Sequence, residues 1–457
     1  MLVRTHCIRC LRREYSTKAP RAVRGMADRF GQAERKHQYI VFKARAVAES
    51  YGYEPVHTPI LEYSSVFERT LGTGSDVVGK ELYKFLDSSQ DWMTMRPEGT
   101  ASVNRAIISN KLEHKMPQKL FYSGPMFRHE RPQKGRLRQF EQFGVEVLGS
   151  AHPATDVECI QMAWGFLHSL GIDGGLELQL NTLGDRESRM TYRNLLKEYF
   201  FKHKSSLSED SQRRLETNPL RILDSKDAAD ELICAGAPSF SKHLSTDALQ
   251  RFDFVQNSLA SLGIPYTLNQ KLVRGLDYYQ HTVYEVTCSS GLLGKSQATV
   301  LAGGRYDGLS EMLGASKPLP GIGWAAGIER LALLILQDEP VPAAIPIIIV
   351  PDQNTEKNNM RTVSNELYVY AMEIASKVRN HRSSYVFTPL SFTNSPSLSN
   401  YPLVSKQLSS VLKAQPMPLR VIIVGSTEMA NKTVVVRNAA TSSQATVDVS
   451  DIESMLE

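Results

Sequence analysis

The chain has 457 residues, more than one hydrophobic core usually organises, so two or three domains are expected. Hydrophobic residues make up 42% and charged residues 22%, and the apolar runs at 331–336 and 345–350 fall far short of the roughly 20 residues of a membrane helix, so no membrane association is expected. The net charge of +5 is concentrated at the start, where Arg4, Arg9, Arg12, Arg13, Lys18, Arg21 and Arg24 face only Glu14; the remainder is near neutral, and any RNA contact must rest on local patches.

An Arg-rich, acid-poor start has the character of a mitochondrial transit peptide, expected over residues 1–20, with Arg13 three residues before a cut after Tyr15. The expected location is the mitochondrial matrix; the alternative is a basic arm that binds RNA. Of five cysteines only Cys7 and Cys10 are close, with no second pair to complete a zinc site, so metal ligands remain unassigned.

Residues 32–50 carry helical periodicity, with Tyr39, Phe42, Ala46 and Val47 near one face and Gly52 as a stop. Residues 53–62 read as extended, and their two prolines favour a sheet edge or an interface. Strands at 119–128 and 138–148 flank a polar loop, 129–137, which predicts an antiparallel hairpin. Residues 187–255 are charged and helix-like with a break at 217–220, as an insertion would be. The core resumes at 271–287 and 298–306 and closes with a strand running into a helix at 321–336. After the proline-rich linker 338–346 come a strand at 347–350, a helix near 364–379, strands at 384–388, 420–425 and 432–437, and a last helix near Ser450. The fold class is therefore α+β: a mainly antiparallel sheet flanked by helices, a helical insertion, and a small mixed α/β domain over 345–457.

Alternation along the second hairpin strand puts Gln142, Gly144 and Glu146 on one face and Phe143, Val145 and Val147 on the other. The first set offers an amide, a bare glycine floor and a carboxylate, suited to a small polar ligand. Arg128 and the loop cations Arg131, Lys134 and Arg136 suit phosphate, arginine being able to grip two oxygens at once.

The sequence FRHERPQKGRLRQFEQFGVEVLG (127–149) resembles motif 2 of class II aminoacyl-tRNA synthetases, in the form peculiar to histidyl-tRNA synthetases. YGYEPVHTPILE is similar to motif 1, whose proline lies at the family's dimer interface, and GIGWAAGIERL to motif 3. LVRGLDYYQHTVYEV (272–286) and LAGGRYDGL (301–309) resemble the two histidine-specific signatures, and MRPEGTASVNRA (95–106) a further block. The resemblance implies a catalytic domain over 21–337, an anticodon-binding-like domain over 345–457, a homodimer, and L-histidine, ATP and tRNA(His) as partners, with Mg²⁺ on the nucleotide.

Carried over by position, Glu98, Thr100, Gln142 and Glu146 would contact the amino acid, with Arg128, Arg274 and Tyr278 beside it. Tyr279 and Tyr306 would line the imidazole pocket. Arg128, Arg136 and Arg330 would hold ATP. Arg274 would sit beside the α-phosphate as the catalytic cation. Two departures stand out: Glu141 where bacterial relatives commonly have His, and a segment at 388–408 without the usual basic stretch. The competing reading is a silent paralogue that senses histidine or tRNA; retention of the phosphate cations speaks against it.

Overall fold

The computed structural model describes residues 19–335, apart from 73–76, 173, 224, 226, 273–277 and 294–298. Toward the C-terminus it describes 345–350, 363–381, 386–387, 420–438, 441 and 443–452. The chain divides into two compact units, Met1–Asp338 and Glu339–Glu457. Residues 1–18 and 388–408 lie outside the described residues, so the leader and the departure at 388–408 have no structural account.

The first unit opens with helix α1 (Gln32–Ser50), β1 (Glu54–Pro55), β2 (Leu61–Tyr63), α2 (Ser64–Leu71), β3 (Lys84–Leu86), β4 (Trp92–Met95) and α3 (Thr100–Ser109). The hairpin β5 (Gln118–Phe127) and β6 (Gln139–Leu148) follows, then α4 (Ala154–Ser169) and β7 (Leu176–Thr182). Helices α5 (Arg186–Lys202), α6 (Glu209–Thr217), α7 (Ala228–Ala235) and α8 (Thr246–Ser261) occupy the charged, helix-like stretch expected at 187–255. The unit closes with β8 (Thr267–Leu268), β9 (Gln280–Cys288), β10 (Thr299–Arg305), α9 (Leu309–Met312), β11 (Gly321–Gly327) and α10 (Ile328–Leu334).

Eight of these strands form one sheet in the order β1-β5-β6-β11-β10-β9-β7-β8. Its six inner strands pair antiparallel, whereas the two-residue edge strands β1 and β8 pair parallel with β5 and β7, so the sheet is mixed at its rims. β1 does occupy an edge, where Pro55 costs no ladder bond. The β5–β6 hairpin runs in unbroken register from Gln118 opposite Leu148 to Phe127 opposite Gln139.

One face of the sheet packs on α1, α4, α8 and α10, where Phe143, Val145 and Val147 join Ile40, Ala44, Ile160, Phe166, Leu259 and Leu331 in a single core. The other face packs on α2, α3 and α5 and carries the site. The expected face of α1 requires correction. Its buried residues are His37, Ile40, Ala44 and Ala48, while Phe42 is exposed. The helix lies against both α4 and α10, and small alanines at that seam permit the close approach.

Within the second unit, β12 (Ile345–Ile349), α11 (Asn365–His381), β13 (Val386–Phe387), β14 (Arg420–Val424), α12 (Ser426–Asn431), β15 (Thr433–Asn438) and β16 (Gln444–Asp448) build a five-stranded sheet of order β13-β12-β14-β15-β16. β12 pairs parallel with both neighbours and the rest is antiparallel. Leu367, Ala371, Ile374 and Val378 of α11 cover it. α12 and β16 were not anticipated from the sequence.

Candidate functional site

A cavity of about 380 Å³ opens on the helix-α3 side of the large sheet, lined by β5, β6, β9, β10, β11 and the loop between β5 and β6. Its chemistry is divided. One end is acidic and aromatic, the other cationic.

The acidic end is built on Glu98 and Glu146, both buried. Glu98 precedes α3 and accepts the backbone N–H groups of Thr100 (2.8 Å) and Ala101 (2.8 Å), capping a helix whose own N-cap residue, Gly99, has no side chain to do so. Glu146 on β6 accepts the Thr100 hydroxyl at 2.6 Å and the Tyr306 hydroxyl through a short bond. Burial raises both carboxyls. Glu146 is pushed up to about 8, Thr100 and Tyr306 offsetting part of the effect, and Glu98 is raised with its two backbone bonds opposing. Tyr278 completes this end, its ring edge-on to Tyr306 at 5.8 Å and its hydroxyl 3.5 Å from Glu98. The phenols of Tyr122, Tyr278 and Tyr306 are raised by burial first and by the carboxylates second, so they stay protonated donors. Gln142 faces the cavity with its Oε1 buried and without a hydrogen-bond partner among the described residues.

At the other end Arg128 is held by a bond from Nε to the Pro97 carbonyl (2.9 Å) and lies over Phe140. Arg136 pairs with Glu130 across the loop. Arg330, the third residue of α10, donates to the Thr299 carbonyl at 2.5 Å; burial and then the charge of Arg136 lower its pKa. These cations can take a polyanion, while the acidic end can take an ammonium group and ring N–H donors. The two ends share one floor.

The sequence profile described as "Histidyl-tRNA synthetase" matches residues 25–331. The chain is 44% identical over 435 residues to the histidine–tRNA ligase of Rhodospirillum rubrum, covering 95% of this chain and 98% of that one. It is 41% identical over 433 residues to that of Gluconobacter oxydans, covering 95% and 97%. The fold is similar to the apo histidyl-tRNA synthetase of S. aureus (TM-score 0.75, 28% identity, 96% and 99% of the two chains). The chain belongs to the histidyl-tRNA synthetase family.

Of the residues carried over from that family's motifs, Glu98, Thr100, Arg128, Arg136, Gln142, Tyr278, Tyr279, Tyr306 and Arg330 all line this one cavity, and Glu146 lies at its floor bonded to Thr100 and Tyr306. Arg274, the expected catalytic cation of the synthetase, lies outside the described residues.

One expectation is corrected. Gly144 does not offer a bare floor to a ligand. Its cross-strand partner is Tyr122, whose ring lies over it so closely that a Cβ there would meet the ring within 2.3 Å. Gly323 on β11 serves Glu146 in the same way, since a Cβ there would meet the carboxylate at 2.1 Å.

Tyr122 was missed. It lines the cavity, and its buried phenol stands beside Thr100 and Glu146. The signal was present, because hairpin register sets a large residue opposite a glycine. Arg96 was also passed over: it is buried, donates to the Thr58 carbonyl (2.9 Å) and the Pro125 carbonyl (3.0 Å), and ties the segment before β2 to β5 beneath the site.

Proposed function

We propose that this cavity binds histidine at its acidic end and ATP at its cationic end, joins them as histidyl-adenylate, and passes the acyl group to tRNA(His). The observation that carries the reading is the pairing, on one floor, of the bonded Glu98–Thr100–Glu146–Tyr306 set with the Arg128–Arg136–Arg330 set. In the first step a histidine carboxylate oxygen attacks the α-phosphorus and pyrophosphate leaves. In the second the 3′-terminal adenosine hydroxyl of tRNA attacks the acyl carbon and AMP leaves. Neither step needs a protein nucleophile, so placement and fixed charge supply the rate. The α-ammonium suits the carboxylates and the Gln142 Oε1, which has no partner among the described residues, and the imidazole suits the tyrosine-lined wall. Such a slot rejects an apolar side chain, which would leave those polar groups without partners. By family resemblance Arg274 stabilises charge at the α-phosphoryl group.

Among the described residues no three His, Cys, Asp or Glu side chains converge as a metal cage. Mg²⁺ would arrive on the β- and γ-phosphates, shielding their charge, with Glu130 and Glu285 acidic groups that line the cavity and act on Arg330.

A homodimer is supported by the small sheet β2-β4-β3, which leaves Leu61, Tyr63, Phe85, Leu86 and Trp92 exposed, Tyr63 by 58% and Trp92 by 50%. A role in mitochondrial translation is supported by the basic, acid-poor start, which precedes the family match at residue 25. No helix among the described residues is long and apolar enough to cross a membrane.

Pyrophosphate exchange tests the core of the reading. Exchange that depends on histidine and on no other amino acid is expected, followed by charging of tRNA(His) transcript. A folded, dimeric preparation without histidine-dependent exchange would point instead to the silent paralogue. Import of the full chain into isolated mitochondria, with N-terminal sequencing of the mature form, tests the matrix assignment.

A further inference from the structure

The residues ahead of α1 take no part in the reaction as derived, yet they reach both walls of the cationic end. The Gly25 carbonyl accepts the N–H of Arg138 at 2.7 Å, at the base of the loop that presents Arg136. Gly25 has φ +83°, and a Cβ there would stand 2.8 Å from both Arg138 Cγ and Pro132 Cγ, so only glycine lets the chain lie on that loop.

Four residues on, Arg29 spans three carboxylates. Its Nε is 2.9 Å from Glu34, its Nη2 is 3.1 Å from Glu141 and its Nη1 is 3.3 Å from Glu329. Glu141 stands where β6 leaves the loop, and Glu329 immediately precedes Arg330. The two are already joined, because the Glu141 backbone N–H donates to both oxygens of Glu329 at 3.0 Å. His37 Nδ1 lies 3.6 Å from Glu141. The tip of the loop in turn rests on α10, with the Cβ position of Gly135 3.2 Å from Arg330 Cγ. Glu329 is only 9% exposed and Arg29 24%, so solvent screens this cluster incompletely.

We propose that Arg29 is a positioning residue for the nucleotide end of the pocket. By neutralising Glu141 and Glu329 together it fastens the β5–β6 hairpin to the start of α10 and so fixes the spacing between Arg136 and Arg330. Without its guanidinium, two carboxylates would face each other across the seam on which both phosphate cations are mounted. The inference rests on reading this end of the cavity as the ATP site. It also gives Glu141, the departure noted in the sequence, a partner that matches its charge.

The test is exchange kinetics on the full chain with R29Q, R29K, E141Q and R29Q/E141Q. R29Q should raise the KM for ATP about tenfold and leave the histidine KM within about twofold. R29K should recover part of the loss. R29Q/E141Q should bind ATP better than R29Q, since removing one carboxylate relieves the repulsion. Half-saturation of thermal protection by ATP reads the same contact without catalysis and should move by the same factor. If the wild-type chain shows neither exchange nor ATP protection, the ATP-site reading itself fails. If wild type binds ATP and R29Q matches it, or both KM values rise equally, or the double variant is simply additive, Arg29 is a structural residue and the proposal is wrong.

Discussion

Replacing Glu146 by Gln should make the protein more stable at alkaline pH and poorer at holding histidine. Glu146 is fully buried, and its carboxyl is pushed from 4.5 to about 8, chiefly by loss of water. A carboxyl raised in the folded state favours folding below its unfolded pKa. That advantage is lost as pH rises from about 4.5 through 8, because the unfolded chain ionises freely and the folded chain does not. Over the 4.5-to-7 interval this amounts to on the order of 3 kcal/mol. An amide keeps an acceptor for the Thr100 hydroxyl, and the Tyr306 hydroxyl can turn to accept its N–H. The melting temperature of E146Q should therefore fall less steeply between pH 5 and 8.5 than that of wild type, with the curves separating by roughly 5 °C or more at the alkaline end. Glu98 is raised by the same burial, so some slope should remain. In wild type the histidine ammonium should draw Glu146 into its charged form and expel a proton, so binding enthalpy at pH 7 should differ between phosphate and Tris buffers. E146Q should show little of that difference and a histidine KM about 100-fold higher. Parallel melting curves for the two proteins would refute the reasoning.

Gly144→Ala drives a methyl into the Tyr122 ring; a stability loss of about 1–3 kcal/mol and a raised histidine KM are expected from unfolding curves and exchange kinetics. Asp156→Asn breaks the buried pair with Arg305, which also holds Ser150 and Asp307 on the residue before Tyr306; unfolding should show a cost of about 3–5 kcal/mol, more than any surface ion pair. Arg274→Ala should slow adenylate formation about 10²-fold in single-turnover assays while the melting temperature stays near wild type. Tyr306→Phe removes a donor from Glu146, so that carboxyl should rise further and the ascending, acid-side limb of the kcat/KM profile should shift to higher pH.

Much of the site was legible because a β-hairpin converts sequence spacing directly into faces. Gln142 and Glu146 fell on the cavity side, and Phe143, Val145 and Val147 in the core, as strict alternation requires. Alternation says nothing about what lies across the next strand, which is why Gly144 read as empty space when Tyr122 fills it. Helix α1 was placed with its observed ends, but its buried face was misjudged. Choosing the largest apolar residue as the anchor fails where two helices crowd in and alanine is what fits. Short pieces such as β3 and β4 carry too few residues for a period to show, and β16 is almost wholly exposed, so no apolar face marks it. The Arg29 cluster was invisible because its members come from three distant parts of the chain.

Both oxygens of Glu98 are occupied by main-chain N–H groups at the start of α3, so on the proposed function the side chain that would meet histidine also fastens a helix. No replacement at position 98 can retune amino-acid preference without loosening that helix. Position 142, whose amide oxygen has no such duty, carries no comparable constraint. Preference is thus welded to the scaffold at one corner of the slot and left adjustable at the opposite one, and drift toward another amino acid would begin at Gln142.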